Sequence, residues 1–276
     1  MKMLKIGISV LLLVVSSLIS QGQTGAKDQL NVPLTEPGKP YRLEVSLLRG
    51  SITIVGYEGK EIIVNVRTEE EENKRAKESE NPAGMKRYTL DNKADVTAEV
   101  NNNVVKVRSR LPNQLHHLTL KVPLTELSLK LKAVNNGDIT VSNVNGNIEA
   151  TNVNGAIQIN KVAGSVVANT INGNIVVSFR SIDPKASMAF STLNGHVDVS
   201  FPENLKANLK LKSDRGEIYS DFNIVAEAGK LTTEQNQKKG LFRIHLNDWL
   251  NGKVNGGGPE MLMKNMNGNI YVRKTK

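Results

Sequence analysis

The chain has 276 residues, a formal net charge of +9, 4% aromatic residues and no cysteine. Without thiols, disulfides and thiolate metal sites are excluded, and so few rings exclude a base-stacking platform for nucleic acid. The charge falls to +7 without Lys2 and Lys5, and the remaining basic residues are scattered, as on solvated strand faces, with a weak pull toward acidic glycans or anionic surfaces.

Lys2 and Lys5 precede an apolar run from Ile6 to Ile19, and Ser20-Gln21-Gly22 follows it. A basic start, a short apolar stretch and small residues at a cleavage point predict a secretory signal peptide over 1–22. The run is shorter than the ~20 residues of a membrane-spanning helix, and no cysteine follows it for lipid attachment. The mature chain is therefore expected to be exported without a transmembrane segment. Residues 23–40, with Pro33, Pro37 and Pro40, read as a polar leader, and 41–276 as one β domain.

Alternating apolar positions predict strands over Tyr41–Leu48, Ser51–Val55 and Glu61–Arg67. A charged insertion over 69–84 follows, beginning Glu69-Glu70-Glu71-Glu72. It lacks the spaced ligands and turn glycine of a calcium loop. Strand patterns resume at Tyr88–Leu90, Val96–Val100, Val104–Arg108, Leu118–Val122 and Leu127–Leu131. These irregular N-terminal strands are expected to cap one end of the fold, because an open sheet edge recruits other strands.

From 134 to 180 the pattern becomes strict. Gly137, Gly146, Gly155, Gly164 and Gly173 stand nine residues apart, within phrases such as Val144-Asn145-Gly146-Asn147-Ile148. Two residues after each glycine come Ile139, Ile148, Ile157, Val166 and Ile175; four after come Val141, Ala150, Ile159, Ala168 and Val177. A third apolar column, seven after, holds Val144, Val153, Val162 and Ile171. Small polar residues five after (Ser142, Thr151, Asn160, Asn169, Ser178) suit corners. Asn-Gly tolerates positive φ at both residues, which places the turns there. A meander of hairpins and a coil of two nine-residue arms both accommodate the period. The coil explains more, because it stacks each column into a continuous ladder.

The phrase returns as Leu193-Asn194-Gly195-His196-Val197 and Asp214-Arg215-Gly216-Glu217-Ile218, with longer corners marked by Pro184 and Pro202. Leu48 to Ile54 opens the pattern and Met266 to Val272 closes it. Leu241–Val272 is expected as the second cap, with Trp249 as a core plug.

Little in the chain points to chemistry. Calcium-binding nine-residue repeats need a recurring aspartate, whereas the residues after the glycines are Asp138, Asn147, Ala156, Ser165 and Asn174. Glycoside hydrolysis needs two facing carboxyl groups. Glu149 and Asp198 share a column but are separated by several coils; Asp198 and Glu217 fall on neighbouring coils with columns two apart. Of the four histidines, His116, His117, His196 and His245, the first two point to opposite faces of a strand, a poor chelate, His196 sits in a turn column, and no serine, histidine and acid arrangement can be picked out from the sequence. No catalytic, cofactor-binding or metal-ligating residue is assigned, and no cofactor is expected.

The V-N-G-x-I phrases, the Asn255-Gly256-Gly257-Gly258 turn and the final Asn267-Gly268-Asn269-Ile270 strand resemble the bacterial putative-adhesin family, exported β-solenoid proteins of Bacteroidetes-type bacteria. The resemblance covers roughly residues 41–273 and brings no catalytic residues with it. It implies an all-β, single-chain β-solenoid, β-helix- or β-roll-like, with irregular N-terminal strands. The expected function is a non-catalytic adhesion or binding module of the cell envelope whose partner is a glycan or an envelope protein. The alternatives are a polysaccharide-processing enzyme on a β-helix scaffold and a purely structural envelope protein.

Overall fold

The computed structural model describes residues 28–69, 96–109, 114–226 and 249–275. The signal-peptide segment, the insertion beyond Glu69, the strand expected at Tyr88–Leu90 and His245 lie outside the described residues. All regular structure described is β, without helices: twenty strands form one sheet, wrapped around one apolar core into a nearly closed, barrel-like form. No helix among the described residues is long and apolar enough to cross a membrane.

The wrapped sheet has two walls of mainly parallel strands. One wall runs, in spatial order, β5 (Val96–Asn101), β6 (Val104–Ser109), β2 (Tyr41–Arg49), β8 (Leu127–Asn135), β10 (Asn145–Thr151), β11 (Ile157–Asn172), β13 (Met188–Asn194), β19 (Glu260–Asn267) and β15 (Ala207–Ser213). β18 (Leu250–Val254) and β17 (Val225–Ala226) close it antiparallel. The other wall runs β1 (Asp28–Pro33), β4 (Glu61–Glu69), β7 (Leu115–Pro123), β3 (Ile52–Tyr57), β9 (Ile139–Ser142), the start of β11, β12 (Ile175–Ile182), β14 (Val197–Phe201), β20 (Ile270–Lys274) and β16 (Ile218–Ser220). β11 belongs to both walls and bends at Lys161, whose φ is 51°.

In the regular region, partners sit eighteen residues apart: Ile139 opposite Ile157, Ile157 opposite Ile175, Ile148 opposite Val166. Two nine-residue arms therefore make one circuit, and successive glycines of the sequence fall alternately at opposite corners. Strand alternation sends the columns two and four after glycine inward. All ten of those side chains are buried.

Three expectations need correction. The third apolar column is inside only at one corner: Val144 and Val162 are buried, whereas Val153 is half-buried and Ile171 is 43% exposed. The inward corner hydrogen bonds to glycine carbonyls come from the sixth residue after glycine, Asn152 and Thr170, while the fifth column contributes Ser178, whose Oγ accepts the Lys161 N–H at 3.0 Å. Third, among the repeat Asn-Gly pairs none has both residues at positive φ: one residue is there at Asn136 and at Gly146, and neither is at Asn154-Gly155 or Asn172-Gly173. Asn255-Gly256 does have both there, at 49° and 83°.

The inward polar residues make a repeated bond. Asn152 Nδ2 donates to the Gly137 carbonyl (2.9 Å), Thr170 Oγ1 to Gly155 (3.0 Å), Thr192 Oγ1 to Gly173 (2.8 Å), Asn265 Nδ2 to Gly195 (3.1 Å) and Ser213 Oγ to Gly268 (2.8 Å). Each rung thus caps a carbonyl of its neighbour. Thr170→Val keeps the shape and removes one buried donor, so it should cost about 1–2 kcal/mol, read as a lower urea midpoint with unchanged slope.

The largest correction concerns order. Residues 41–57 do not open the stack; they slot between the rung 104–123 and the rung 127–142. Residues 260–274 do not close it either. They lie between 188–201 and 207–220. Trp249 is not a core plug: it is half-buried, with the Lys210 and Lys212 ammonium groups 5.1 and 5.9 Å from its ring centroid.

Candidate functional site

The misplaced final rung decides what the outer surface carries. Outward positions of the second wall line up as Asp198, Tyr271 and Tyr219 across β14, β20 and β16. Two residues back, just before each strand begins, stand His196, Asn269 and Glu217. Strands of a sheet lie ~4.8 Å apart, so flat side chains at equivalent positions stack.

Tyr219 and Tyr271 do so, with centroids 5.2 Å apart and planes within 9°. The His196 ring meets Tyr271 edge-on at 6.3 Å. The Arg273 guanidinium lies 4.8 Å from the Tyr271 centroid, and its Nε donates to both Asp198 oxygens at 2.8 and 2.9 Å. Tyr219 donates its hydroxyl to Glu217. Asn269 donates from Nδ2 to the Tyr271 hydroxyl (2.9 Å) and accepts the Glu217 backbone N–H (3.0 Å). The hydrogen bond to Glu217, and then its charge, raise the Tyr219 hydroxyl pKa, so the phenol stays a donor. The hydrogen bond to Asp198 and its charge likewise raise that of Arg273.

Two carboxylates thus share this surface, each already engaged by a neighbouring side chain. The rung 260–274 stands between Asp198 and Glu217, so they are not on neighbouring coils. Each already accepts a hydrogen bond, one from a guanidinium and one from a phenol. Glu149 is occupied elsewhere, by Lys130 Nζ at 2.9 Å. The two adjacent histidines face opposite ways as expected: His116 is fully buried, and His117 Nδ1 lies 2.7 Å from Ser51 Oγ outside. Among the described residues no three His, Asp or Glu side chains converge as metal ligands.

A second ordered feature runs along the glycine corner. Asn267 donates to Asn194, Asn194 to Asn172 and Asn172 to Asn154, each at 2.7 Å, and Asn154 to Asn135 at 2.8 Å. This amide ladder forms because like stacks on like at the strand spacing. It holds the exposed edge in a fixed plane. Beside it the outer face of the first wall exposes Val167, Ile171, Leu193 and Met266.

Neither tyrosine was singled out from sequence, since 52 positions separate them. A signal did exist: both stand three after a glycine, in Gly216-Glu217-Ile218-Tyr219 and Gly268-Asn269-Ile270-Tyr271. Only the rung order makes them neighbours.

No protein-family model and no curated protein matches the chain. The chain is similar to the crystal structure of a putative cell adhesion protein from Clostridium sporogenes ATCC 15579, with a TM-score of 0.47 and 11% sequence identity, over 91% of this chain and 100% of that one.

Proposed function

We propose that this chain is an exported β-solenoid of the cell envelope that works as a non-catalytic binding module for a glycan or an envelope protein. The observation that supports this most is the eighteen-residue parallel register, which turns the outer surface into straight rows of equivalent side chains. A partner meeting such a wall gains many weak contacts from groups already held in place, and loses little to ordering them. The amide ladder from Asn135 to Asn267 is one such row. The signal-peptide pattern at 1–22 supports export, and the engaged state of Asp198, Glu217 and Glu149 favours binding over hydrolysis.

The test is a glycan array probed with residues 23–276, followed by mass spectrometry of the retained oligosaccharides. Retention with unchanged chain length is the expected result. Shortened products would overturn the non-catalytic reading in favour of a polysaccharide-processing enzyme. If no glycan is retained, and cell-envelope extracts passed over the immobilised protein leave nothing bound, the purely structural reading replaces it.

A further inference from the structure

We infer that the Tyr219–Tyr271 stack is a binding platform for a neutral pyranose unit of a glycan, a reading that rests on the binding-module function above. One face of the Tyr219 ring lies against Tyr271. β16 is the last strand of its wall among the described residues, and Tyr219 is 46% exposed. The other ring face therefore continues the ladder outward with no described side chain stacked on it. A ring's negative face attracts the weakly positive C–H bonds on the flat side of a pyranose, as it attracts the edge of another ring. The sugar takes the place of the next rung.

The rim of the platform suits hydroxyl groups. A carboxylate has about four acceptor sites, and Glu217 gives one to the Tyr219 phenol. Its remaining capacity sits beside the open ring and accepts sugar hydroxyls in charge-assisted bonds. The phenolic oxygen, whose proton points to Glu217, can itself accept. Tyr271, pinned by Asn269, His196 and Arg273, keeps the upper ring from tilting. Pre-ordered aromatic groups bind at low entropic cost.

Charge selects the class of sugar. Two carboxylates, Asp198 and Glu217, flank the stack against one guanidinium, that of Arg273; nearby Asp221 accepts the Lys274 backbone N–H, and the Lys274 ammonium lies 3.5 Å from Glu203. Arg273 is already committed to Asp198. An acidic sugar gains no partner and meets Glu217, so the platform prefers neutral units, against the basic balance of the whole chain.

Affinity gel electrophoresis with laminarin, mannan and galactan as neutral probes, and alginate and polygalacturonate as acidic ones, tests this directly. At least one neutral polysaccharide should retard the wild-type protein. Tyr219→Ala should weaken that retardation by about tenfold, the scale of a lost aromatic stack. Tyr219→Phe, which keeps the ring, should stay within about threefold. Circular dichroism verifies that the variants fold, as substitution at an exposed position permits. If a neutral glycan retards the wild type and Tyr219→Ala equally, the platform is wrong while the binding-module reading stands. Retardation by acidic polymers alone overturns the neutral assignment. If no polysaccharide retards the wild type, glycan binding fails and the platform with it.

Discussion

Gly173→Ala should lower the melting temperature by about 6–12 °C, corresponding to about 3 kcal/mol. Gly50, Gly137, Gly155, Gly173, Gly195, Gly268 and Gly216 form one column in rung order. A Cβ on Gly137, Gly155, Gly173, Gly195 or Gly268 would lie 2.1–2.2 Å from the preceding glycine's carbonyl, and one on Gly216 only 1.8 Å from that of Gly268. At Gly173 the atom struck is the Gly155 oxygen, at 2.2 Å. That oxygen cannot swing aside freely, because it accepts the Thr170 hydroxyl. Gly173 is not in the left-handed region, so contact alone sets the cost. Relief requires prising two rungs apart along both walls. Gly38→Ala is the matched control: it has a φ of 85° with no atom within 4 Å of the new Cβ. It should lose only the left-handed strain of about 1–2 kcal/mol. Thermal melts of equal depth for the two variants would show that the column is not closely packed.

Phe201→Ala should be comparably damaging, at about 3–5 kcal/mol, the usual cost of an emptied phenylalanine site in a core. Three rings meet where the regular rungs give way to longer corners. Phe179 and Phe201 stack with centroids 5.3 Å apart and planes within 6°, and Phe190 approaches Phe201 edge-on at 6.5 Å. All three are fully buried. The C-terminal tail seals this cluster: Thr275 donates its N–H to the Phe201 carbonyl (2.7 Å) and its hydroxyl to that of Phe179 (3.2 Å). Because the strands around Phe201 are tied on both sides by β12 and β20, the walls cannot collapse into the void. Urea denaturation of Phe201→Ala and Phe179→Ala, singly and together, checks this. A double-mutant coupling of about 0.5–1.5 kcal/mol is expected for the stacked pair. Additive losses would mean that the rings fill space independently.

Much of the interior was readable before any fold was known. Ile148, Ile157 and Ile175 all point inward, as the columns require, and Pro184 and Pro202 stand just beyond the ends of β12 and β14. The strands expected over Tyr41–Leu48, Val96–Val100 and Val104–Arg108 match β2, β5 and β6 to within a residue or so. What misled was a nine-residue period read as one kind of corner. The circuit has two, and a position such as Ile171 faces solvent at one while Val162 is buried at the other. The amide ladder was half visible, in the recurring Asn before glycine, but Asn135 joins it from one position further back. The extra residue Asn136, with φ of 59°, absorbs the difference.

Periodic spacing of glycine and β-branched residues is enough to specify an all-β chain whose arms are nine residues long, because burial on a strand follows a period of two and close approach at a corner admits only hydrogen. It is not enough to specify which rung lies on which. Every rung presents the same apolar columns and the same backbone ladder to its neighbours, so many stacking orders satisfy the local pattern. The seating of 41–57 and 260–274 one place in from the ends came from long-range packing and from the antiparallel strands that close the walls. That choice put Tyr271 between Asp198 and Tyr219, and with it the aromatic platform.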